Sequence, residues 1–355
     1  MSQVRLLSRS DMASVLTMAD VIEAVEEGFR SAGEKDDVPV RLPVHVADRP
    51  SVALFMPAYL AGSHTLGAKV VSAFHDNPAR GLPMITGFYV LCDAETGRLI
   101  ALMDATFLTG IRTAAASAVA TKYLARKDAR ILGIIGTGVQ GRFHVDAITA
   151  VRPIERIVLY NRTPERGHAL ADDLASRGIS CSVAHDAAEC AAEADVLAVC
   201  TSSKSPLFDG GLVRPGSHVN AVGVFTADSQ ELDAGLIQRA RVFVDTYEGA
   251  FEEAGDIIVP LRAGDISRDH IRAELTELVT GRKEGQATGR SPCSNPWVTP
   301  WKTRSPRGWP MNGRWNRGSE PPSTWKHEAR SGHPIGRGRR PDPYAPRALR
   351  VEKAL

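Results

Sequence analysis

The run ILGIIGTGVQGRFHVDAI, residues 131–148, decides the fold. Its first five residues read as a buried strand, and Gly136-x-Gly138-x-x-Gly141 follows at the mouth of an amphipathic helix. Each glycine has a physical task in that setting: a tight turn, close backbone approach to a pyrophosphate, and close packing of helix on strand. The helix N-terminus adds amide donors and the positive end of a dipole. Gly136, Thr137, Gly138, Val139, Gln140 and Gly141 are therefore the candidate phosphate-binding residues. A purely structural turn is the alternative, and the strand-then-helix context weighs against it.

Downstream, RIVLYN, ISCSVA, DVLAVCTS, HVNAVGVF and RVFVDTY are β-branched runs bounded by turn residues. Helical patterns such as TPERGHALADDLASRG lie between most of them. Such alternation predicts a parallel sheet covered on both faces. Upstream, DVIEAVEEGFRSAG places Ile22, Val25 and Phe29 on one helical face, with Gly33 just past its end. SVALFMPAYL, LGAKVVSAF and ITGFYVLCDAETGRLIALMD predict an antiparallel meander with AETG as a hairpin turn, and FLTGIRTAAASAVATKYLAR predicts a long alanine-rich helix. The expected architecture is α/β. A sheet-rich domain over 1–115 precedes a Rossmann-type, doubly wound parallel sheet over 116–285.

In NAD enzymes an acidic residue about 20 positions beyond the glycines holds the ribose 2′-hydroxyl. That stretch here is Asn161, Arg162 and Thr163. Arg162 suits a 2′-phosphate, and no carboxylate repels one, so NADP(H) is favoured, with NAD(H) possible because Asn161 can serve either. Thr201, closing DVLAVCTS, is a further cofactor-binding candidate.

A chain of 355 residues, 43% apolar and 24% charged, is long enough for two domains with buried cores. No apolar run approaches a membrane span, and the N-terminus lacks a secretory pattern. Five cysteines form no CxxC pair and no metal spacing, which predicts reduced thiols, no metal site and a cytoplasmic location.

Three cations stand out in the first domain: Arg41 in PVRLPVHV, Lys69 in LGAKVVSAF and Arg112 in LTGIRTAAA. An unpaired ammonium inside an apolar strand is costly, and Arg112 is expected in the first helical turn, where its charge opposes the dipole. A bound carboxylate would reconcile both, as would structural ion pairs. Asp228, in FTADSQELD, lies beyond a parallel strand, where doubly wound folds put ligands. With Glu231 it also reads as a capping arrangement for the next helix.

These motifs, together with MPAYL, LGAKVVSAFHDNPARGLP, TGRLIALMDATFLTGIRTAAASAVATKYLA, YNRTPERG and AVGVFTADSQELD, resemble the ornithine cyclodeaminase/mu-crystallin family from about residue 5 to 285. The resemblance implies that residues 1–115 form a substrate-binding and dimerisation domain, that 116–285 form an NAD(P)-binding Rossmann domain, and that the protein is a homodimer. It gives Arg41, Lys69 and Arg112 the substrate α-carboxylate, and Asp228 and Lys69 catalytic roles, Asp228 beside the substrate nitrogen. It implies hydride transfer at the C–N bond of a small amino or imino acid, as in cyclic-ketimine reductases or amino-acid dehydrogenases. The alternatives are ornithine cyclodeaminase and an NADPH-binding protein of mu-crystallin type. True cyclodeaminases carry a glutamate two positions before Met-Pro, and Leu54 stands there.

The resemblance stops near Gln286. Beyond it lie 14 Lys and Arg against 4 Asp and Glu, 11 of the 22 prolines and all five tryptophans. Arginine with aromatics can bind single strands, but the composition favours a disordered, irregular tail over a nucleic-acid site. Family members continue with a helical segment close to ITLFKSVG. Read one base out of frame, Trp297–Val298 forces Gly, Trp301–Lys302 Glu, Trp309–Pro310 Ala and Met311–Asn312 Glu. With permitted codons elsewhere, Arg290 to Arg314 reads ITLFKSVGHALEDAVAAWLAYERA. The expectation is a frameshifted tail over 286–355.

Overall fold

The N-terminal elements are β1 (Arg5–Leu7), α1 (Arg9–Val15), α2 (Met18–Ser31), β2 (Leu42–His45), β3 (Ser51–Leu60), β4 (Thr65–Phe74), β5 (Ile85–Asp93), β6 (Leu99–Asp104) and α3 (Ala105–Leu124). The computed structural model describes residues 4–33, 35–39, 41–46, 48, 51–223, 226–285 and 297–300. Strands β3 to β6 form the predicted antiparallel meander, and β2 and β1 extend it in the sheet order β1-β6-β5-β4-β3-β2. The AETG turn forms because the Asp93 carboxylate accepts from the Glu95 and Thr96 amides, at 3.1 and 2.9 Å, and Gly97 takes φ +69°. Strand β1, parallel to β6 at the sheet edge, is too short to show a period.

Side chains alternate between the sheet faces, so cross-strand register sorts them. Met56, Lys69, Tyr89 and Met103 stand opposite one another across β3 to β6. That face packs on α3, where Leu91, Ala101 and Met103 share a core with Phe107, Ile111, Ala114 and Ala118. The adjacent row, Leu42, Phe55, Val70 and Phe88, therefore points the other way. There Leu42, Phe55 and Phe88 are 62%, 41% and 47% exposed.

Helix α3 is buried on nearly every side, as an apolar helix between two layers must be. Its small residues permit close approach. A Cβ on Gly110 would lie 2.4 Å from the Phe143 ring, which meets Phe107 edge to face at 5.7 Å. The helix runs unbroken through residue 115.

The second half comprises β7 (Ile131–Ile135), α4 (Val139–Thr149), β8 (Arg156–Tyr160), α5 (Pro164–Ser176), β9 (Cys181–Val183), α6 (Ala187–Glu193), β10 (Val196–Val199), β11 (His218–Ala221), α7 (Ala234–Arg239), β12 (Arg241–Val244), α8 (Tyr247–Glu253), α9 (Gly255–Ala263), β13 (Ile271–Glu274), α10 (Leu275–Val279) and β14 (Trp297–Pro300). Every strand pair is parallel, in the order β13-β12-β14-β11-β10-β7-β8-β9. All six predicted strands are present. Strand order reverses between β7 and β10, the switch point beside which doubly wound sheets bind ligands. Helix α10 returns to the first half, Leu275 and Leu278 packing with Val25 and Phe29.

Strand β14 corrects the expectation of an irregular tail at residues 297–300; the other residues of the 286–355 segment lie outside those described. Its Val298 stands opposite both Val219 and Val242 and is fully buried. The physical reason lies in β11 and β12, which do not pair with each other and would otherwise leave two buried backbone edges unsatisfied. The fit is poor in side-chain chemistry. Thr299 buries a hydroxyl with no partner among the described residues, and Pro300 has no amide to donate.

Candidate active site

The glycine loop follows β7 at the switch point. Gly136 takes φ +96°, and a Cβ there would lie 2.6 Å from the Cys200 carbonyl oxygen. A Cβ on Gly141 would meet the Gly136 carbonyl oxygen at 2.2 Å, whereas nothing lies within 4 Å of one on Gly138. Turn, helix packing and open approach are thus divided among the three as their spacing predicts. Gly138 precedes Val139, which opens α4, so the helix N-terminus faces that open side. Thr137 Oγ1 and Gln140 Oε1 are buried without a partner among the described residues. A cradle with unsatisfied polar atoms at a helix N-terminus fits a dinucleotide.

The adjacent residues divide their work. Asn161 Oδ1 accepts from the Thr137 amide at 3.1 Å, and Asn161 Nδ2 donates to the Thr163 carbonyl at 2.9 Å. Asn161 therefore braces the glycine loop. Arg162 is exposed and makes no ion pair among the described residues. Thr201 follows β10, and both its amide and hydroxyl are engaged by Glu231.

The three cations gather at the carboxyl edge of the same sheet. Lys69 is half-buried on the α3 face of β4. Desolvation, then repulsion from Arg112 and Arg41, pushes its pKa down to about 7. No acidic side chain pairs with it among the described residues. Burial lowers the Arg112 pKa to about 10, against the attraction of Asp245, which follows β12. Arg41 is ion-paired with Glu253 at the end of α8. One correction concerns Arg112. Helix α3 starts at Ala105, with Asp104 capping the Phe107 amide at 2.6 Å, so Arg112 lies beyond the first turn and outside the dipole's reach. Burial is the strain it bears.

Asp228 is exposed in the loop after β11, on the edge shared by the glycine loop, Thr201 and Asp245. The capping expectation fails. The next helix, α7, is capped by Asp233, which accepts from the Leu236 amide at 2.7 Å. Glu231 is instead fully buried. It accepts from the Thr201 amide and hydroxyl at 2.7 and 2.6 Å, and from the Gly223 amide at 2.8 Å. Burial and the Asp256 charge raise its pKa to about 8 against the pull of the Thr201 hydroxyl.

Sequence reasoning missed Asp245, Glu253, Asp256 and His144, and read Glu231 only as a cap. His144 joins the two layers around the site: its ring nitrogens meet the Gln140 carbonyl and the Ser117 hydroxyl, each at 2.8 Å, tying α4 to α3. Burial drops its pKa to about 4, so it is a neutral brace. For Glu253 and Asp256 the run EEAGD, residues 252–256, was the available signal, an acidic pair and an aspartate flanking a glycine where α8 gives way to α9. Among the described residues no cluster of three or more His, Cys, Asp or Glu is placed to hold a metal ion. No helix there is long and apolar enough to cross a membrane.

Comparison with known proteins agrees with this fold. A Δ1-pyrroline-2-carboxylate reductase of Bacillus cereus is 37% identical over 284 residues, 79% of this chain and 87% of that protein. The solved Δ1-pyrroline-2-carboxylate reductase of Thermococcus litoralis, in complex with NADH and L-proline, superposes with a TM-score of 0.80 at 39% identity, covering 84% of this chain and 92% of that one. An archaeal alanine dehydrogenase dimer with bound NAD gives a TM-score of 0.77 at 32% identity, covering 84% and 90%. The family profile described as ornithine cyclodeaminase/mu-crystallin family matches residues 3–291, and the chain belongs to that family.

Proposed function

We propose that this protein is a nicotinamide-dependent oxidoreductase that reduces a small imino acid, of the cyclic-ketimine type, to the amino acid. The observation that carries the reading is the cluster of Arg41, Lys69 and Arg112 beside the sheet edge that bears the glycine loop and Asp228. The nicotinamide supplies the hydride when bound. The chain's own residues orient and balance charge. Arg41, Lys69 and Arg112 bind the substrate carboxylate and so aim the imino carbon. Asp228 stabilises the protonated imine and holds or exchanges the proton at its nitrogen. In the reverse direction the same carboxylate accepts the proton lost from the amine.

NADP(H) is the favoured coenzyme, because Arg162 is exposed and no carboxylate occupies 161–163. The solved relatives were captured with NADH or NAD, so the test runs both. Δ1-pyrroline-2-carboxylate should oxidise NADPH at a lower coenzyme KM than NADH, and Arg162→Ala should erase about tenfold of that advantage, the size of a lost charge-assisted hydrogen bond. If neither coenzyme is oxidised with any imino acid, the reading fails. Leu54 counts against ornithine cyclisation.

A homodimer built on the outer row of the N-terminal sheet is also proposed. Leu42, Phe55 and Phe88 line one apolar band there, and burying such a band is what association accomplishes. Phe88→Glu should halve the mass seen by analytical ultracentrifugation; a mass equal to the unmodified chain's would reject this face.

The tail is proposed to be an out-of-frame translation, and an NADPH-binding protein of low turnover is the second reading it favours. Thr299's buried hydroxyl, without a partner among the described residues, fits a strand not selected for its place. Restoring the frame should raise both the thermal midpoint and kcat. A gene sequence across codons 280–295 that cannot encode the alternative reading would end the idea.

A further inference from the structure

We propose that Glu231 is a positioning residue for Asp228, clamping the loop that carries it to the ends of β10 and β11. This rests on the imino-acid reductase reading. Residues 226–232 contain no helix or strand, so Asp228 is aimed only by whatever anchors its loop. The loop is held on two sides. On one, Gly255 at the start of α9 lies so close that a Cβ would come 1.8 Å from the Ser229 carbonyl oxygen and 2.7 Å from that of Thr226. Asp256 Oδ1 accepts from the Glu231 and Leu232 amides at 2.8 and 3.0 Å.

On the other side the Glu231 side chain gathers the Thr201 amide, the Thr201 hydroxyl and the Gly223 amide. Gly223 must be glycine for this closure, since a Cβ would overlap the Thr201 carbonyl oxygen at 1.7 Å. A fully buried carboxyl beside a second one, Asp256, is costly. Four fixed backbone amides and a hydroxyl around the pair offset that cost, and they lock four chain segments together at the edge where coenzyme and substrate meet. A helix cap, the role its position suggests, would need none of this.

The test is Glu231→Gln in the full chain, assayed with Δ1-pyrroline-2-carboxylate and NADPH. Glutamine keeps one acceptor oxygen but turns an NH2 toward either the Gly223 amide or the Thr201 donors, so the clamp loosens while the volume stays. The expected result is a kcat lower by roughly 10- to 100-fold, as for small misplacement of a reacting group. The substrate KM and the NADPH dissociation constant, read from coenzyme fluorescence, should change little. A merely structural role would move stability without separating kcat from KM.

Wild-type kcat, or loss of NADPH binding in step with kcat, overturns the proposal. Should Glu231→Gln not fold, Thr201→Val decides by removing one donor of the clamp. A kcat loss with NADPH still bound supports the proposal, and an unchanged kcat overturns it. Absence of turnover in the unmodified chain sinks the reductase reading first; turnover that survives Glu231→Gln sinks this inference alone.

Discussion

Asp228→Asn lowers kcat for imino-acid reduction by about two to four orders of magnitude, the range for a positioned acid or base, while NADPH binding is retained. Asparagine copies the shape of the side chain and its neutral hydrogen bonds. It removes the negative charge that stabilises a protonated imine and the site that accepts a proton from the amine. Asp228 is exposed in the loop after β11 and is not one of the residues that build the glycine cradle after β7, so the substitution leaves that cradle's own atoms unchanged. Coenzyme fluorescence titration and steady-state turnover, measured on one preparation, separate the two effects. Turnover within a factor of a few of the unmodified chain would remove Asp228 from the chemistry.

Lys69→Met is expected to stabilise the free protein and to cripple it. Loss of one of three carboxylate-binding cations should cut kcat/KM by about 100-fold, the scale of a charged hydrogen bond in a desolvated site. The stability gain follows from linkage. The folded pKa is depressed from 10.5 to about 7, so between those values the unfolded chain binds the proton that the folded one sheds. Stability therefore rises with pH across that window, and below about 7 the whole penalty of the buried ammonium is present, on the order of a few kcal/mol. Methionine removes it, raising the thermal midpoint most at neutral and acidic pH.

The same linkage acts on binding. A substrate carboxylate prefers the charged lysine, so binding takes up a proton above about pH 7, and the imino-acid KM climbs by up to about tenfold per pH unit. In Lys69→Met that slope disappears, while any titration of the substrate itself is common to both proteins. A pH-independent ratio of the two KM values would contradict the assignment.

The legible parts of this protein are those whose physics is local. The glycine loop declares itself because its three tasks fall within six residues. Lys69 declares itself because a charge interrupts an apolar strand. Glu253 and Asp245 were invisible because their meaning lies in Arg41 and Arg112, partners far away along the chain. Glu231 was misread for a subtler reason: Asp233, two residues on, has the same chemistry and is the true cap, freeing Glu231 for the interior. Arg112 was placed in the first turn of α3 on a wrong premise, since the capping Asp104 starts the helix earlier than the periodic pattern suggested.

Strand β14 also sets a timetable for the growing polypeptide. Because chains fold from the N-terminus as they leave the ribosome, β11 and β12 emerge long before the four residues that lie between them. Until residue 300 is free of the exit tunnel, two neighbouring strands of the nucleotide-binding sheet face each other across an open lane. Each is a template for a foreign strand. The nascent protein thus carries an open lane at the centre of its sheet, besides the outer edges, until its last described strand arrives.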